Sequence, residues 1–282
     1  MRVKSGLVDR KGQDICELPR EKSNKNKKNR KRNKKSMANV VQKLFETCKE
    51  VFATGGAGVV PSPGDIERLR SELDGMKPED VGLSEDMPWF RTSDCEGTPP
   101  ITYLHLYECD RFSIGIFCLP KSGVIPLHNH PGMTVFSKLL FGSMHIKSYD
   151  WVTDVSHNTS ENLNPSHFQC SSGIRLVKIK NDSIFTVPCN TSILYPAAGG
   201  NMHCFTAVTS CAVLDVLGPP YSDAEGRHCQ YYRDFPYANF SGDTDLVPED
   251  EREGYEWLQE REKPEDFVVM GALYRGPKIV EN

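Results

Sequence analysis

The sequence lacks the long apolar segments that mark membrane-spanning and exported proteins. No run approaches the 18 apolar residues of a transmembrane helix, and the N-terminus has no apolar signal-peptide stretch. Its ten cysteines form no Cys-x-x-Cys pair, so we expect mostly reduced thiols. No heptad pattern or large apolar stripe is visible, which favours a monomer that does not bind membranes. The 38% of hydrophobic residues nevertheless suffices for a core and excludes a chain that is disordered throughout.

Positive charge is concentrated at one end of the chain. Residues 1–37 hold 14 Lys or Arg and 4 Asp or Glu, a net charge of +10, whereas residues 38–282 carry a net charge of −14. A segment this basic cannot bury apolar surface, so we expect residues 1–37 to form a disordered tail. The tail is a candidate nuclear import signal or a solubilising segment, and nucleus and cytoplasm are the expected locations. Direct nucleic-acid binding is not expected, because no recognition helix or aromatic stacking pattern follows the tail.

The rest of the chain divides into three segments by pattern. Residues 38–98 are expected to be helical and to pack on a barrel, with helices at 38–54 and 65–73 and one turn near Pro78. Residues 99–235 are rich in short β-branched and aromatic runs, which predicts an all-β barrel. Residues 236–282 are expected to extend the same domain with an acidic helix up to about Glu262 and a strand at 266–274. The expected barrel strands are 101–108, 111–119, 134–140, 143–151, 174–180, 183–187, 202–209 and 211–217.

Three of the eight histidines have the pattern of a metal site. His128 and His130 are separated by one residue, so on a strand both imidazoles point to the same side. A third ligand must come from a distant strand, and His203 fits because Pro196 and the Gly199-Gly200 pair precede it with a sharp turn. We interpret His105 and His145 as structural and His157 and His167 as solvated loop residues, and leave His228 undecided.

This arrangement resembles the cupin fold, a double-stranded β-barrel. Cupins place a His-x-His pair after a glycine, here Gly123, and a third histidine on a later strand. They usually add a glutamate about four residues beyond the pair, but this chain has Thr134-Val135 there and no carboxylate between His130 and Asp150. A three-histidine Fe(II) site is therefore predicted. Three neutral imidazoles leave the full charge on the metal, which an anionic thiolate substrate can balance.

Three longer runs extend the resemblance to one enzyme family. HNHPGMTVFSKLLFGSMHIKSYDW (128–151), YPAAGGNMHCF (195–205) and LDVLGPPYS (214–222) are similar to the plant cysteine oxidases, which belong with the animal cysteamine dioxygenases. The similarity covers about residues 38–275 and leaves out the basic tail. It implies non-haem Fe(II) and O₂, which convert the N-terminal Cys of a protein to Cys-sulfinic acid. The oxidised protein is then arginylated and degraded; ethylene-response-class transcription factors are the implied clients, and the enzyme would act as an oxygen sensor.

The resemblance also implies roles for three residues outside the histidine cluster. Asp215 lies on an otherwise apolar strand, where a charge must be paired, and is expected near the substrate amine. A buried salt bridge is its alternative interpretation. Tyr221 follows Gly218-Pro219-Pro220, a rigid loop that can hold a phenol over a pocket, and is expected to contact the substrate. Cys229 shares a strand face with Tyr231 and is the candidate for a Cys–Tyr crosslink, although it is equally interpreted as a small buried residue.

Two other functions remain open from the sequence. A dioxygenase of free cysteine or another small thiol needs a cationic anchor for a carboxylate. No Arg lies in the metal-binding segments, and Arg111 and Arg175 are the strand candidates, so a peptide is favoured. A non-enzymatic, metal-binding cupin is the third hypothesis, and iron content and O₂ consumption would separate it from the two enzymes.

Overall fold

The computed structural model describes residues 40–91, 97–152, 173–240 and 247–281. The predicted basic tail, and the loop that carries His157 and His167, lie outside these residues. Helix α1 covers residues 40–51 and helix α2 covers Pro63–Asp74. The strands are β1 (Ile101–Glu108), β2 (Ser113–Leu119), β3 (Val124–Asn129), β4 (Thr134–Phe141), β5 (Ser143–Trp151), β6 (Ile174–Thr186), β7 (Ser192–Leu194), β8 (Met202–Ala207), β9 (Cys211–Gly218), β10 (Tyr231–Pro236), β11 (Tyr255–Arg261) and β12 (Val269–Ala272).

Both helices form where the sequence predicts them. In α2 the Ser62 hydroxyl accepts a hydrogen bond from the Asp65 N–H, and Pro63 occupies the first turn, where no N–H is needed. One face of each helix is apolar and buried, with Leu44 and Phe45 of α1 and Leu69 of α2 almost fully covered. No helix among the described residues is long and apolar enough to cross a membrane.

The strands form two sheets. The first sheet has the order β12-β1-β2-β9-β4-β7, and the second sheet, β10-β11-β6-β5-β8-β3, closes on itself as a barrel. Within the first sheet β1, β2, β9, β4 and β7 pair antiparallel, and β12 runs parallel to β1. The predicted fold class is confirmed: an all-β core of the cupin type, a double-stranded β-barrel with flanking N-terminal helices.

Two apolar clusters flank the first sheet, one on each face. One cluster joins the inner faces of the sheets, with Phe117 and Val213 of the first sheet against Ile125 and Phe205 of the second. Another cluster packs both helices on the outer face of the first sheet, where the Phe52 ring stacks 6.0 Å from Phe112. The site described below therefore lies between two sheets, and the helices support its wall from outside.

The helix predicted after Pro248 is wrong over most of its length. A 3-10 turn, Glu249–Gly254, leads into strand β11 (Tyr255–Arg261), which pairs with β6 and β10. The acidic composition is typical of an exposed helix, but Glu256 binds Lys147 at 2.7 Å and Tyr149 at 2.6 Å. Those partners lie far away in the sequence, so no local pattern could reveal the strand. The last predicted strand is also shorter than expected, at Val269–Ala272.

The two strands predicted at 174–180 and 183–187 are one continuous strand, β6 (Ile174–Thr186). The polar pair between them does not turn the chain. The Asn181 amide donates to the carbonyl oxygen of Ile146 at 3.1 Å, and Asp182 contacts the imidazole of His145 at 2.7 Å. A bulge in β6 absorbs the irregularity: Ser148 and Tyr149 of β5 pair with Asn181 and Ile179, so Lys180 is the extra residue. The strands Ser192–Leu194 and Tyr231–Pro236 were not predicted.

Candidate active site

The structure brings the three predicted ligands together inside the barrel. His128 lies in β3, His130 directly follows that strand, and His203 in β8 pairs opposite His128. All three side chains are buried, and their ligand atoms lie within 4.8 Å of one another. The ring centroids of each pair are 4.9 Å apart. The His-x-His spacing and the distant third histidine thus converge on one point.

Hydrogen bonds orient two of the imidazoles. Nδ1 of His128 donates to the carbonyl oxygen of Pro126 at 2.8 Å, and Nδ1 of His130 lies 2.9 Å from the Tyr221 hydroxyl. With Nδ1 engaged, Nε2 is the free ligand atom of both rings. Burial lowers the pKa of His128 to about 4, and burial together with the neighbouring imidazoles lowers the pKa of His130 and His203 well below 6.5. Neutral imidazoles are the form that binds metals.

The spacing of the nitrogens fits a divalent metal ion. Nε2 of His130 and Nε2 of His203 are 3.1 Å apart. Two nitrogens at the ~2.1 Å typical of metal–imidazole bonds, meeting at about a right angle, are separated by about 3.0 Å. Because no carboxylate belongs to this cluster, the protein leaves the charge of such an ion unbalanced. Three imidazoles in this arrangement would hold a metal and leave its other positions to substrates.

Hydrogen bonds that the sequence did not predict hold His130 and the loop before His203 in place. The Asn201 side chain accepts from the His130 N–H at 3.1 Å and donates to the His130 carbonyl oxygen at 2.8 Å. The Asp150 carboxylate in turn accepts from the N–H groups of Gly199 and Gly200 at 3.1 and 2.7 Å. Both glycines have positive φ, +82° and +84°, which other residues rarely adopt. The tight turn predicted from the paired glycines is therefore present, but its fastening to Asp150 was not foreseen.

The Gly-Pro-Pro loop places Tyr221 against His130. The Tyr221 hydroxyl donates to the Asn129 carbonyl oxygen at 2.7 Å and accepts from Nδ1 of His130. Arg227 donates to the Pro220 carbonyl oxygen at 3.2 and 3.3 Å, so this buried cation supports the loop from within. Tyr221 thus orients one imidazole of the candidate metal site. It also lines the cavity, and its predicted contact with substrate stays a prediction.

Asp215 lies on the opposite wall of the cavity, in β9. It is 6% exposed, and its Oδ1 has no hydrogen-bond partner among the described residues. Burial raises the pKa of Asp215 to about 7, against a hydrogen bond with Ser137 of β4. Among the described residues no salt bridge joins it, so the alternative interpretation, a buried ion pair, is not what the structure shows. A buried acceptor without a donor is suited to a cationic ligand.

Cys229 lies behind Tyr221 rather than in the cavity wall. Burial raises the pKa of its thiol to about 12, although hydrogen bonds with Tyr221 and Tyr231 act in the opposite direction. The thiol is therefore protonated at neutral pH and is a poor nucleophile. Its sulfur is close to both phenols, which agrees with the predicted pairing with Tyr231 and equally with a small buried residue. Its catalytic role stays a prediction.

A cavity of about 670 Å³, including its open mouth, joins the histidines to Asp215. Among the residues that the structure describes, its wall combines apolar side chains, the three imidazoles and two carboxyl groups, and contains no lysine or arginine. The lining residues are Tyr103, Glu108, Ser113, Gly115, Phe117, Ile125, His128, His130, His203, Phe205, Asp215, Leu217, Pro220 and Tyr221. Glu108 and Tyr103 were not predicted. Both lie on β1, and the bulge that turns Glu108 inward has no signal in the sequence.

The remaining candidate residues lie outside this wall. His145 bonds to Asp182, as a structural histidine would, and His228 is exposed. Arg111 donates to the Ala53 carbonyl oxygen at 3.4 Å, and the Arg175 guanidinium lies 4.0 Å from the Trp151 ring centre. Neither arginine lines the cavity.

Solved structures that resemble this chain include cupins. An RmlC-like cupin protein from Desulfovibrio desulfuricans covers 46% of this chain and 97% of its own, at 14% identity and a TM-score of 0.28. KdgF from Halomonas sp. covers 46% of this chain and 87% of its own, at 13% identity and a TM-score of 0.29.

Sequence relatives cover far more of the chain. The PCO_ADO family model matches residues 73–279. Plant cysteine oxidase 2 of Arabidopsis thaliana is 60% identical over 94% of this chain and 92% of its own, and plant cysteine oxidase 1 is 62% identical over 85% and 80%. The 2-aminoethanethiol dioxygenase of Mus musculus is 29% identical over 87% and 98%. Family model, identity and coverage agree, and the chain belongs to the family of plant cysteine oxidases and 2-aminoethanethiol dioxygenases, which are thiol dioxygenases.

Proposed function

We propose that this enzyme oxidises the N-terminal cysteine of proteins to cysteine sulfinic acid, with Fe(II) held by His128, His130 and His203. The thiol and one O₂ give the sulfinic acid: both oxygen atoms are added to sulfur, which loses four electrons, and O₂ gains them. The family implies O₂ and a thiol. The proposal adds that the metal is iron and that the thiol belongs to a peptide.

The charge of the cavity wall favours a peptide substrate over free cysteine. Free cysteine has a carboxylate that needs a cation, yet no lysine or arginine of the described part of the chain lines this cavity. Arg111, Arg175 and Arg227 are engaged with Ala53, Trp151 and Pro220, respectively. An N-terminal cysteine in a peptide has an amine and a thiol but no carboxylate of its own. The peptide therefore matches a wall that contains carboxyl groups and no cation.

The residues of the chain have distinct parts in this scheme. Iron, when bound, supplies the Lewis-acidic, redox-active centre at which thiolate and O₂ meet. Asp215 receives the substrate amine at its unpartnered Oδ1, which fixes the cysteine in the cavity. Tyr221 holds His130 in the tautomer that exposes Nε2. Phe117, Phe205 and Leu217 keep water away from the reacting sulfur.

Mass spectrometry of peptides tests the proposal. A Cys-initiating peptide, incubated aerobically with the iron-loaded protein, should gain two oxygen atoms. The same peptide with an acetylated N-terminus should gain none, because it lacks the cationic amine for Asp215. Free cysteine is the second comparison and should be a poor substrate. Equal turnover of free cysteine and the peptide would overturn the proposal.

The second candidate is oxidation of a small aminothiol. The mouse relative is named for 2-aminoethanethiol, which has an amine and a thiol but no carboxylate. This molecule satisfies the same charge argument as a peptide, because it too would meet the carboxyl groups of the cavity wall with an amine. Competition between the Cys-initiating peptide and 2-aminoethanethiol at equal concentration distinguishes the two candidate functions. A higher kcat/KM for the peptide supports the first candidate, and the reverse supports the second.

The proposed physiological role is oxygen sensing. O₂ would limit the rate at which client proteins are oxidised, arginylated and degraded through the N-degron pathway, and ethylene-response-class transcription factors are the proposed clients. The support is the 60% and 62% identity to the two plant cysteine oxidases. The decisive measurement is the half-life of a Cys-initiating reporter protein in cells at normal and low oxygen. The half-life should lengthen at low oxygen only where this enzyme is present.

We further propose a monomer in nucleus and cytoplasm, with the tail of net charge +10 as the import signal. Removal of residues 1–37 should reduce nuclear accumulation of a fluorescent fusion and leave kcat/KM unchanged, because a segment of net charge +10 is not expected to bury apolar surface in a core. Unchanged nuclear accumulation would refute the import signal. A light-scattering mass near twice 31.7 kDa would refute the monomer.

A further inference from the structure

A β-bulge in β1 turns Glu108 toward the cavity. His105 pairs with Gly115 of β2, but the next pairs are Tyr107 with Ile114 and Glu108 with Ser113, so β1 contains one extra residue. Without the bulge, residues 105 and 108 would lie on opposite faces of the strand, because side chains alternate. With it, Glu108 shares a face with Ser113, and both line the cavity.

Glu108 has no counter-charge within hydrogen-bonding distance. Its side chain makes no hydrogen bond or ion pair with any residue that the structure describes. It is exposed where it lines the cavity, and the half-buried imidazole of His105 and the phenol of Tyr103 are close enough to interact with it electrostatically. Both Glu108 and Asp215 act on that phenol and raise its pKa, in addition to the larger effect of burial. The phenol is therefore near enough to both carboxyl groups to interact with them.

The two carboxyl groups are spaced for neighbouring parts of one peptide. Glu108 shares its row across the sheet with Ser113 and Leu217, which is two residues along β9 from Asp215 and two strands away. At ~3.4 Å per residue and ~4.8 Å per strand, the two Cα atoms are about 12 Å apart. An extended peptide advances ~3.5 Å per residue. With its amine at Asp215, a long side chain on its second or third residue reaches Glu108.

We propose that Glu108 determines substrate specificity and selects peptides that have a Lys or Arg as the second or third residue. This inference rests on the proposed function, because it requires a peptide whose N-terminal cysteine lies at the metal. The carboxylate attracts a cation to a cavity whose described lining residues include no lysine or arginine. It repels an acidic residue at the same position. The result is a preference by charge, independent of the oxidation step.

Peptides that differ in one residue test the inference. Three Cys-initiating peptides carry Lys, Gln or Glu at the second position, and a matched set carries them at the third. In low salt the wild-type protein should prefer Lys over Glu in kcat/KM by about three- to tenfold in at least one set, as for a partly exposed charge pair, and added salt should reduce the ratio. In Glu108→Gln the ratio should fall to near one. In Glu108→Lys the order should reverse.

A matched variant removes the same charge elsewhere. Glu79 is exposed and outside the cavity, so Glu79→Gln should keep the wild-type ratio. An unchanged ratio in both Glu108 variants, or no charge preference in the wild type, overturns the inference while the proposed function stands. If no Cys peptide is oxidised although 2-aminoethanethiol is, the inference and the proposed function fall together.

Discussion

The two walls of the cavity differ in how completely their polar groups are bonded. On the second sheet, His128 and His130 each have Nδ1 hydrogen-bonded, and Asn201 fixes the backbone of His130. On the first sheet, Asp215 keeps Oδ1 without a partner among the described residues, and Glu108 forms no ion pair with them. The histidine wall, formed by His128, His130 and His203, thus has the arrangement of a metal site, whereas the carboxyl wall, formed by Asp215 and Glu108, has no cation among the described lining residues.

This difference separates the two tasks of the site. Ligands that are held in place by their surroundings bind a metal without reorganisation, so the hydrogen bonds of the histidine wall contribute to affinity. A buried carboxyl group without a partner is costly in the empty protein, and a cationic ligand removes that cost on binding. The histidine wall should therefore control metal content, and the carboxyl wall should control substrate binding.

The largest effect is expected from removal of a metal ligand. His203→Ala should lose most of its iron and all measurable turnover, because the two remaining imidazoles lie on one short segment and cannot enclose the ion alone. Iron content by elemental analysis and O₂ consumption measure both effects. His145→Ala is the control, since that ring contacts Asp182 outside the cavity and its loss should spare iron. Full iron retention in His203→Ala would contradict the assignment.

Asp215→Asn should affect the substrate and leave the metal in place. The variant keeps the shape of the side chain but removes the charge that receives the amine. Charge-assisted hydrogen bonds contribute roughly 1.5–3 kcal/mol, so kcat/KM should fall by about ten- to a hundredfold. Iron content should equal that of the wild type. Loss of iron would show that Asp215 is a ligand and that the two walls are not separate.

Tyr221→Phe tests the contact between the histidine wall and the Gly-Pro-Pro loop that follows β9. The ring stays, but the hydroxyl that bonds His130 and the Asn129 carbonyl oxygen is lost. Loss of such a partner typically costs about 10- to 100-fold in metal affinity or activity. We expect weaker Fe(II) binding in a competition titration with a chelator and an unchanged KM for the peptide. A raised KM with unchanged metal affinity would instead make Tyr221 the substrate contact that the sequence predicted.

The smallest effect is expected on stability. A Cβ added at Gly218 would lie 2.0 Å from the Phe52 ring, so Gly218→Ala must displace α1 or the loop that leads to Tyr221. Overpacking of this kind costs about 1–3 kcal/mol in the free energy of unfolding. Denaturant unfolding measures it. Gly254→Ala is the matched control, because a Cβ there meets no atom within 4 Å and the stability should barely change.

Local patterns were sufficient for much of the fold and for the metal ligands. Alternating apolar residues predicted most barrel strands, and the i, i+2 spacing of His128 and His130 predicted their shared direction, because strand geometry is a property of neighbouring residues. The lone charge of Asp215 in an apolar run was likewise visible. The family resemblance then implied the reaction, which the spacing of residues in the sequence does not show.

Contacts between distant residues were not visible. The hydrogen bond between Asp150 and the Gly199-Gly200 turn joins residues 50 positions apart. The hydrogen bond between Asn201 and His130 joins residues 71 positions apart. Strand β11 was mistaken for a helix because Glu256 finds its partners, Lys147 and Tyr149, more than 100 positions away. Each of these polar residues would be an ordinary surface residue if its partner were absent.

The sequence by itself determined the barrel and the three candidate ligands, since these depend on periodicity or spacing within a few residues, and it marked Asp215 as a lone charge in an apolar run. That Asp215 lies near the substrate was implied only by the family resemblance. The tertiary structure alone decided which nitrogen of His128 and His130 faces the metal, and that Glu108 faces the cavity. The first depends on hydrogen bonds between segments. The second depends on a bulge that exists only when β1 pairs with β2. A side chain's direction at such points is set by the neighbouring strand and not by its own sequence.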